Sequence, residues 1–433
     1  MAAQDGSGLS LHLAGEARVR YESLDGQFRA GRTGSDQALF TRALLLAELR
    51  RSGWAAGVEL QDSEAFLDDA GTPLSSSYVN PIDVLQAYVR WQGATGNWTT
   101  SATFGRQTVS IGSKRQIERV SYANVVKNYS GVHVVAESPR GDLVHVVGLV
   151  PVGRFPSNRQ EIGDNVPSAD EEQWQRRIGG VHYRRANALP VLADDVWLEG
   201  FVYALHEDDA ADVQTPNRRY VQPGGRLYRA PAAGRWDADV EGAARFGSRR
   251  TSSDAENTRD LDVFATMLFA AVGYSWDVLW QPRLAAEWYW ASGDDDPADD
   301  EFGQYERLFG GRRTDLGNTS LHGPLTPANL NAPGARLEVK PTTATDARIA
   351  YSAAFLASET DEWVIADLRD PAGRSGSFIG HALDGRARWR PHEGVEIEMG
   401  ASALFFGEFA DRVPGAPEGQ RTLFGYAQVS WVF

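Results

Sequence analysis

The segment Leu9-Ser10-Leu11-His12-Leu13-Ala14-Gly15-Glu16-Ala17-Arg18-Val19-Arg20-Tyr21 decides the fold. Leu9, Leu11, Leu13, Ala17, Val19 and Tyr21 fall on one side of an extended chain, and Ser10, His12, Glu16, Arg18 and Arg20 on the other. A period of two with one apolar and one charged face is the mark of a β-strand. The pattern recurs along the chain. Leu284, Ala286, Trp288 and Trp290 alternate with Arg283, Glu287 and Tyr289; Ala335, Leu337 and Val339 alternate with Arg336, Glu338 and Lys340. Ile397, Met399, Ala401, Ala403 and Phe405 alternate with Glu396, Glu398 and Ser402; Leu423, Ala427, Val429, Trp431 and Phe433 alternate with Thr422, Tyr426, Gln428 and Ser430. A water-soluble sandwich alternates too. Long strands whose apolar faces end in aromatics (Tyr21, Trp91, Trp288, Trp290, Trp389, Trp431) favour the inside-out arrangement, with the apolar side to lipid and the polar side to a lumen.

The connections alternate between short and long. The short ones are Arg51-Ser52-Gly53, Gly93 to Asn97, Ser138 to Gly141, Pro231 to Gly234, Ser275 to Val278, Pro341 to Thr345 and Pro391 to Gly394. The long ones include Ser23 to Gln37, Ser63 to Asn80, Val152 to Glu171, His206 to Asn217, Ser292 to Ala332 and Thr360 to Ser375. Together they predict an all-β chain: one transmembrane antiparallel β-barrel domain over residues 1–433, with about 18 strands, short periplasmic turns and long extracellular loops. The segment Arg219 to Arg229 holds Pro223 and Gly224-Gly225, yet it must be a strand, because without it the short and long connections fall out of phase. No segment approaches the roughly 18 apolar residues of a membrane helix; Phe264 to Tyr274 is the longest apolar run and contains Gly273. The strand pattern places the protein in the bacterial outer membrane; Met1-Ala2-Ala3-Gln4 lacks a basic and an apolar secretion region, so if the protein is exported the sequence is expected to be a mature form with an added Met. Phe433, closing an amphipathic strand, resembles the signal read by the outer-membrane assembly machinery.

Composition narrows the functions. With no cysteine there is no disulfide, thiolate catalysis or Cys-ligated metal. A net charge of −15 argues against a nucleic-acid partner. Of 43 Lys and Arg residues only Lys114, Lys127 and Lys340 are lysines. A GC-rich genome would produce the same bias, but Arg is also the cation that binds carboxylates bidentately. The eight histidines show no HExxH pattern and no metal-ligand spacing, and His381 near Asp384 and Ser377 matches no hydrolase motif, so no enzyme is expected. Gly310-Gly311-Arg312 lacks the strand-loop-helix context of a phosphate loop.

The alternation sends many charges to the lumen side. Some must be structural ion pairs between neighbouring strands. The expected substrate pathway comprises Arg42, Arg106, Arg115, Arg283, Glu287, Arg336, Arg348, Asp384, Arg386, Arg388 and Arg390. Arg386, Arg388 and Arg390 share one face of one strand, with only Asp384 on that strand to offset them; such repulsion is tolerated where an anion visits. Asp294-Asp295-Asp296 followed by Asp299-Asp300-Glu301 is a solvated external loop or a weak calcium site, since clustered carboxylates suit hard cations. No other cofactor is expected.

Short motifs carry a family resemblance. Phe104-Gly105-Arg106-Gln107 with Gly112-Ser113-Lys114-Arg115, and Gly224-Gly225-Arg226-Leu227-Tyr228 with Trp236-Asp237-Ala238-Asp239-Val240-Glu241 and Phe246-Gly247, resemble stretches of the alginate export porins. So do Trp288-Tyr289-Trp290-Ala291-Ser292-Gly293-Asp294, His381-Ala382-Leu383-Asp384, Arg388-Trp389-Arg390 and Phe405-Phe406-Gly407-Glu408-Phe409, in order from Phe104 to the end. The resemblance implies an eighteen-stranded monomeric barrel in a bilayer with lipopolysaccharide, whose arginine-rich lumen passes an anionic polysaccharide or uronate oligomers. The alternatives are a general anion-preferring porin for small solutes and, from another class, an outer-membrane enzyme or adhesion barrel.

Overall fold

The computed structural model describes residues 8–191, 193–210, 214–254, 256–318 and 320–433; the amino-terminal residues 1–7, with the leader reading made on them, lie outside these. The strands, in chain order, are β1 (Ser10–Asp25), β2 (Ser35–Arg51), β3 (Trp54–Phe66), β4 (Asn80–Thr95), β5 (Trp98–Gln107), β6 (Tyr129–Glu137), β7 (Leu143–Gly153), β8 (Arg176–Arg185) and β9 (Val196–Glu207). They continue with β10 (Arg219–Arg229), β11 (Arg235–Arg250), β12 (Asp260–Ser275), β13 (Arg283–Ala291), β14 (Leu330–Thr342), β15 (Thr345–Phe355), β16 (Phe378–His392), β17 (Val395–Phe406) and β18 (Arg421–Val432). Each pairs antiparallel with its chain neighbour, and β1 closes on β18 from Glu16↔Val432 to Asp25↔Leu423. The result is a closed 18-stranded antiparallel barrel. Closure leaves no free edge, which lipid would not tolerate.

The alternation decides which side of each strand meets lipid. On β1, Leu11, Leu13 and Val19 are exposed on the outer face while Arg18 and Arg20 are buried inside. The outer apolar band ends in two aromatic belts: Trp54, Trp236, Trp389 and Trp431 near the turn end, and Tyr21, Phe66, Phe264, Trp288 and Phe405 near the loop end. Leu45 lies midway along β2 on the outer face. Replacing it with Arg should lower folding stability by about 2–4 kcal/mol, as expected for a cation at the bilayer midplane; denaturant titration of the barrel refolded in vesicles measures this.

Turn chemistry explains the tightest connections. Ser52 and Gly53, both at positive φ (49° and 83°), join β2 to β3 in a two-residue hairpin, and the φ values match a type I′ turn. β10 spans Arg219–Arg229 despite Pro223, because register with β9 and β11 is held on either side of it. The expectation errs on some connections. The segment 186–195 on the turn side is long, and 108–128, 251–259 and 407–420 are further loops on the other side. These stretches lack periodicity, so spacing alone did not mark them.

Two loops do not stay outside. Residues 108–128 and 303–329 fold into the barrel, burying Ile111, Ile117, Val125, Tyr305 and Leu325. They pair with each other: Phe309 N–H donates to Gln116 O at 3.0 Å, and Gly311 N–H to Lys114 O at 3.1 Å. Their approach is so close that a Cβ on Gly310 would lie 1.8 Å from the Arg115 carbonyl oxygen.

Candidate functional site

The wall charges hold the inward loops in place. Arg18 and Arg42, nearly fully buried, donate to the backbone carbonyls of residues 121–123: Arg18 to Ser121, Tyr122 and Ala123 at 3.2, 3.1 and 3.0 Å, and Arg42 to Ser121 and Ala123 at 2.8 and 2.7 Å. Arg20 adds a 2.7 Å bond to Tyr122 O. Across the lumen Arg115 reaches Asp239, Glu241 and Asp315 at 2.9, 3.0 and 2.8 Å, with its Cζ 3.8 Å from the Phe269 ring centre. Burial works against the Arg115 charge, but Asp315, Glu241 and Asp239 outweigh it and hold the guanidinium well above its ordinary pKa. The loop is therefore strapped at both ends across the barrel.

The wall residues expected to form the pathway are ion-paired. Arg106 meets Glu172 at 2.8 Å and Asp83 at 3.6 Å, on different elements from Arg115. Arg283 meets Asp237 and Glu338, Arg336 meets Glu287 at 2.9 Å, and Arg348 meets Asp384 at 3.2 Å. Arg386, Arg388 and Arg390 do share the inner face of β16, but cross-strand carboxylates offset them: Asp346 lies 2.9 Å from both Arg388 and Arg390, Glu396 3.0 Å from Arg390, and Glu398 3.8 and 3.9 Å from Arg386 and Arg388. A strand-by-strand reading does not reveal partners on the next strand. In the acidic loop, Asp294 is buried and its N–H donates to Asp361, whereas Asp295 and Asp296 face solvent. Burial, then Asp361, raises the Asp294 carboxyl to about 6. No group of three ligands converges among the described residues.

Three cavities run in series through the barrel. The outer one, about 520 Å³, is lined by Arg249, Phe302, Arg307, Asp361 and Arg369 among others. The central one, about 220 Å³, lies between the inward loops. The inner one, about 680 Å³, opens beside the β14–β15 and β16–β17 turns and is lined by Arg386, Arg388 and Arg390. Arg307 borders both the outer and central cavities; Tyr122 and Arg313 border both the central and inner ones.

The central cavity differs from the wall in its charge balance. Lys127, Arg154, Arg307, Arg312 and Arg313 line it, with Glu118 as the single carboxylate among the described residues. Among the described residues, Lys127, Arg154, Arg307 and Arg312 make no ion pair. They donate to neutral oxygens: Lys127 to Phe309 O at 3.2 Å, Arg154 to Ser77 Oγ at 3.2 Å, Arg307 to Gly310 O at 2.9 Å and Arg312 to Leu325 O at 2.7 Å. Burial lowers all four; neighbouring Arg307 adds to the effect at Lys127, which sits well below the ordinary lysine value, and at Arg312, which is pulled to about 9. Buried cations without counter-charge are costly, and the cost falls when an anion enters. None of these residues was among the sequence candidates, because they sit in aperiodic loops. The one available signal was that Lys127 is a lysine in an arginine-rich chain.

The alginate export family model matches residues 9–424. No curated protein matches the chain in sequence. Among solved structures, a BenF-like porin from Pseudomonas fluorescens Pf-5 superposes with a TM-score of 0.62 at 9% identity, covering 98% of each chain. OccK9 (OpdG) of Pseudomonas aeruginosa gives 0.62 at 12% identity, again over 98% of each chain. OccK2 (OpdF) of Pseudomonas aeruginosa in complex with glucuronate gives 0.57 at 11% identity, covering 97% of this chain and 96% of that one.

Proposed function

Because the chain belongs to the alginate export family and is a porin-type barrel of the outer membrane, we propose that it passes an anionic saccharide of the uronate class, as oligomers or as a polysaccharide, through its lumen. The observation that carries this reading is the central cavity, where four cations that make no ion pair among the described residues face one carboxylate. A uronate brings one carboxylate per sugar. Rings of Arg or Lys attract such anions, and conduction needs several weak sites in series; the cations of the three cavities supply them. A structural neighbour is described in complex with glucuronate, a sugar carboxylate, and the cations here suit the same chemistry. The ion-paired wall arginines, from Arg106 to Arg390, form the polar track between the cavities. The barrel works as a monomer in the bilayer, among lipopolysaccharide, after insertion by the assembly machinery, and no catalysis is assigned to it.

Planar-bilayer recording tests this. The pore should prefer chloride over potassium, and mannuronate or guluronate oligomers should block its current in discrete events that fade as salt rises. A pore that conducts small anions but is indifferent to uronates would favour the second reading, a general anion porin; the lumen narrowed by two loops is what speaks for it.

Lys127 makes the preference pH-dependent. Its pKa is lowered, so its charge is present at low pH and is lost as pH rises through that depressed value, below the range of an ordinary lysine. Anion preference should decline over that range, and Lys127→Arg should flatten the decline. Reversal potentials across a pH series measure both.

A further inference from the structure

The central and inner cavities meet at one side-chain pair. Arg313 lies with its Cζ 3.2 Å from the Tyr122 ring centre, and both residues line both cavities. Arg313 Nη2 donates to Glu398 at 2.5 Å and to the Tyr426 hydroxyl at 2.8 Å. Among the described residues its buried Nη1 has no acceptor, and the buried Tyr122 hydroxyl has no hydrogen-bond partner. A guanidinium with one half tied and the other half free can take a second carboxylate before it lets go of the first.

Glu398 is equipped to be let go. It also accepts from Tyr426 at 2.9 Å and lies 3.8 and 3.9 Å from Arg386 and Arg388. Losing Arg313 would leave it paired, so the exchange exposes no bare buried charge, the step that makes breaking an ion pair expensive. The central cavity needs such a hand-over. At about 220 Å³ against about 680 Å³ it is the smaller of the two, so a saccharide longer than it can hold continues past the Tyr122 wall into the inner cavity.

We propose that Arg313 passes a saccharide carboxylate between the central and inner cavities by exchanging it for Glu398, with the Tyr122 ring as the movable wall between them. This rests on the uronate reading, but part of its test does not. Single-channel recording of the full-length barrel, first in potassium chloride alone, reads the wall. Tyr122→Ala removes the ring without changing charge and keeps the backbone carbonyl that Arg18 and Arg20 hold. Chloride conductance should rise at least about twofold as the cavities join; wild-type conductance overturns the wall. Adding a monomeric hexuronate reads the exchange. Glu398→Gln weakens the competitor while keeping its shape, so each block should last about fivefold longer, the difference between a charge-assisted and a neutral hydrogen bond. An unchanged or shorter block overturns the exchange. A wild-type pore that hexuronate never blocks sinks the uronate reading and with it the exchange, and the chloride measurement still decides the wall.

Discussion

A barrel carrying Lys127→Glu and Arg307→Glu together should lose its anion preference. The central cavity would then present Arg154, Arg312 and Arg313 against Glu118 and the two introduced carboxylates, three of each sign where the native chain has five cations and one acid. Arg312 is left in place because its bonds to Ser320, Gly323 and Leu325 carbonyls shape the loop. The reversal potential under a salt gradient should move from the anion side to near zero, and uronate block should vanish. Retention of wild-type preference and block would remove the central cavity from the mechanism. Charge reversal at Arg386 and Arg388 should act in the same direction but more weakly. That run is already offset by Asp346, Glu396 and Glu398, so the inner cavity starts closer to neutral.

The second large effect concerns the strap. Arg115→Met removes the cation shared by Asp239, Glu241 and Asp315, three carboxylates that are mostly buried. Breaking such a cluster from one side costs about 3–5 kcal/mol. Arg226 remains 2.6 Å from Asp239, so about 3 kcal/mol is expected. The inward loops should loosen first: hydrogen exchange should rise in 108–128 and 303–329 while the strands stay protected, and conductance should increase. Unchanged exchange in both loops would mean that the wall contacts of Arg18 and Arg42 suffice.

The strands were legible because lipid and lumen impose a period of two that survives in the residues themselves. Leu9 to Tyr21 shows it without help, and even the Pro223 strand follows from the phase of its neighbours. The connections 108–128, 186–195, 251–259 and 407–420 were not legible, and neither was the inward fold. The grip on residues 121–123 comes from Arg18 and Arg42, about eighty to a hundred positions away. Nothing in the local sequence announces it. For the same reason the partners of the candidate arginines were not legible: Arg283, Arg336, Arg348, Arg386, Arg388 and Arg390 each face a carboxylate on another strand. The cations that make no ion pair among the described residues, Lys127, Arg154, Arg307 and Arg312, lie in stretches where no face can be read. The acidic stretch from Asp294 to Glu301 was expected in an external loop; Asp295, Asp296, Asp299, Asp300 and Glu301 are exposed, while the part from Arg307 to Arg313 enters the barrel.

The most direct measurement is flux into proteoliposomes. Vesicles containing the purified barrel are mixed with a short uronate oligomer or with a neutral oligosaccharide of equal length, and entry is followed over time. The uronate should enter faster at low salt, the advantage should shrink as salt screens the cavity, and Lys127→Glu with Arg307→Glu should abolish it. Equal entry of the two sugars at low salt, or exclusion of the uronate, would contradict the uronate reading.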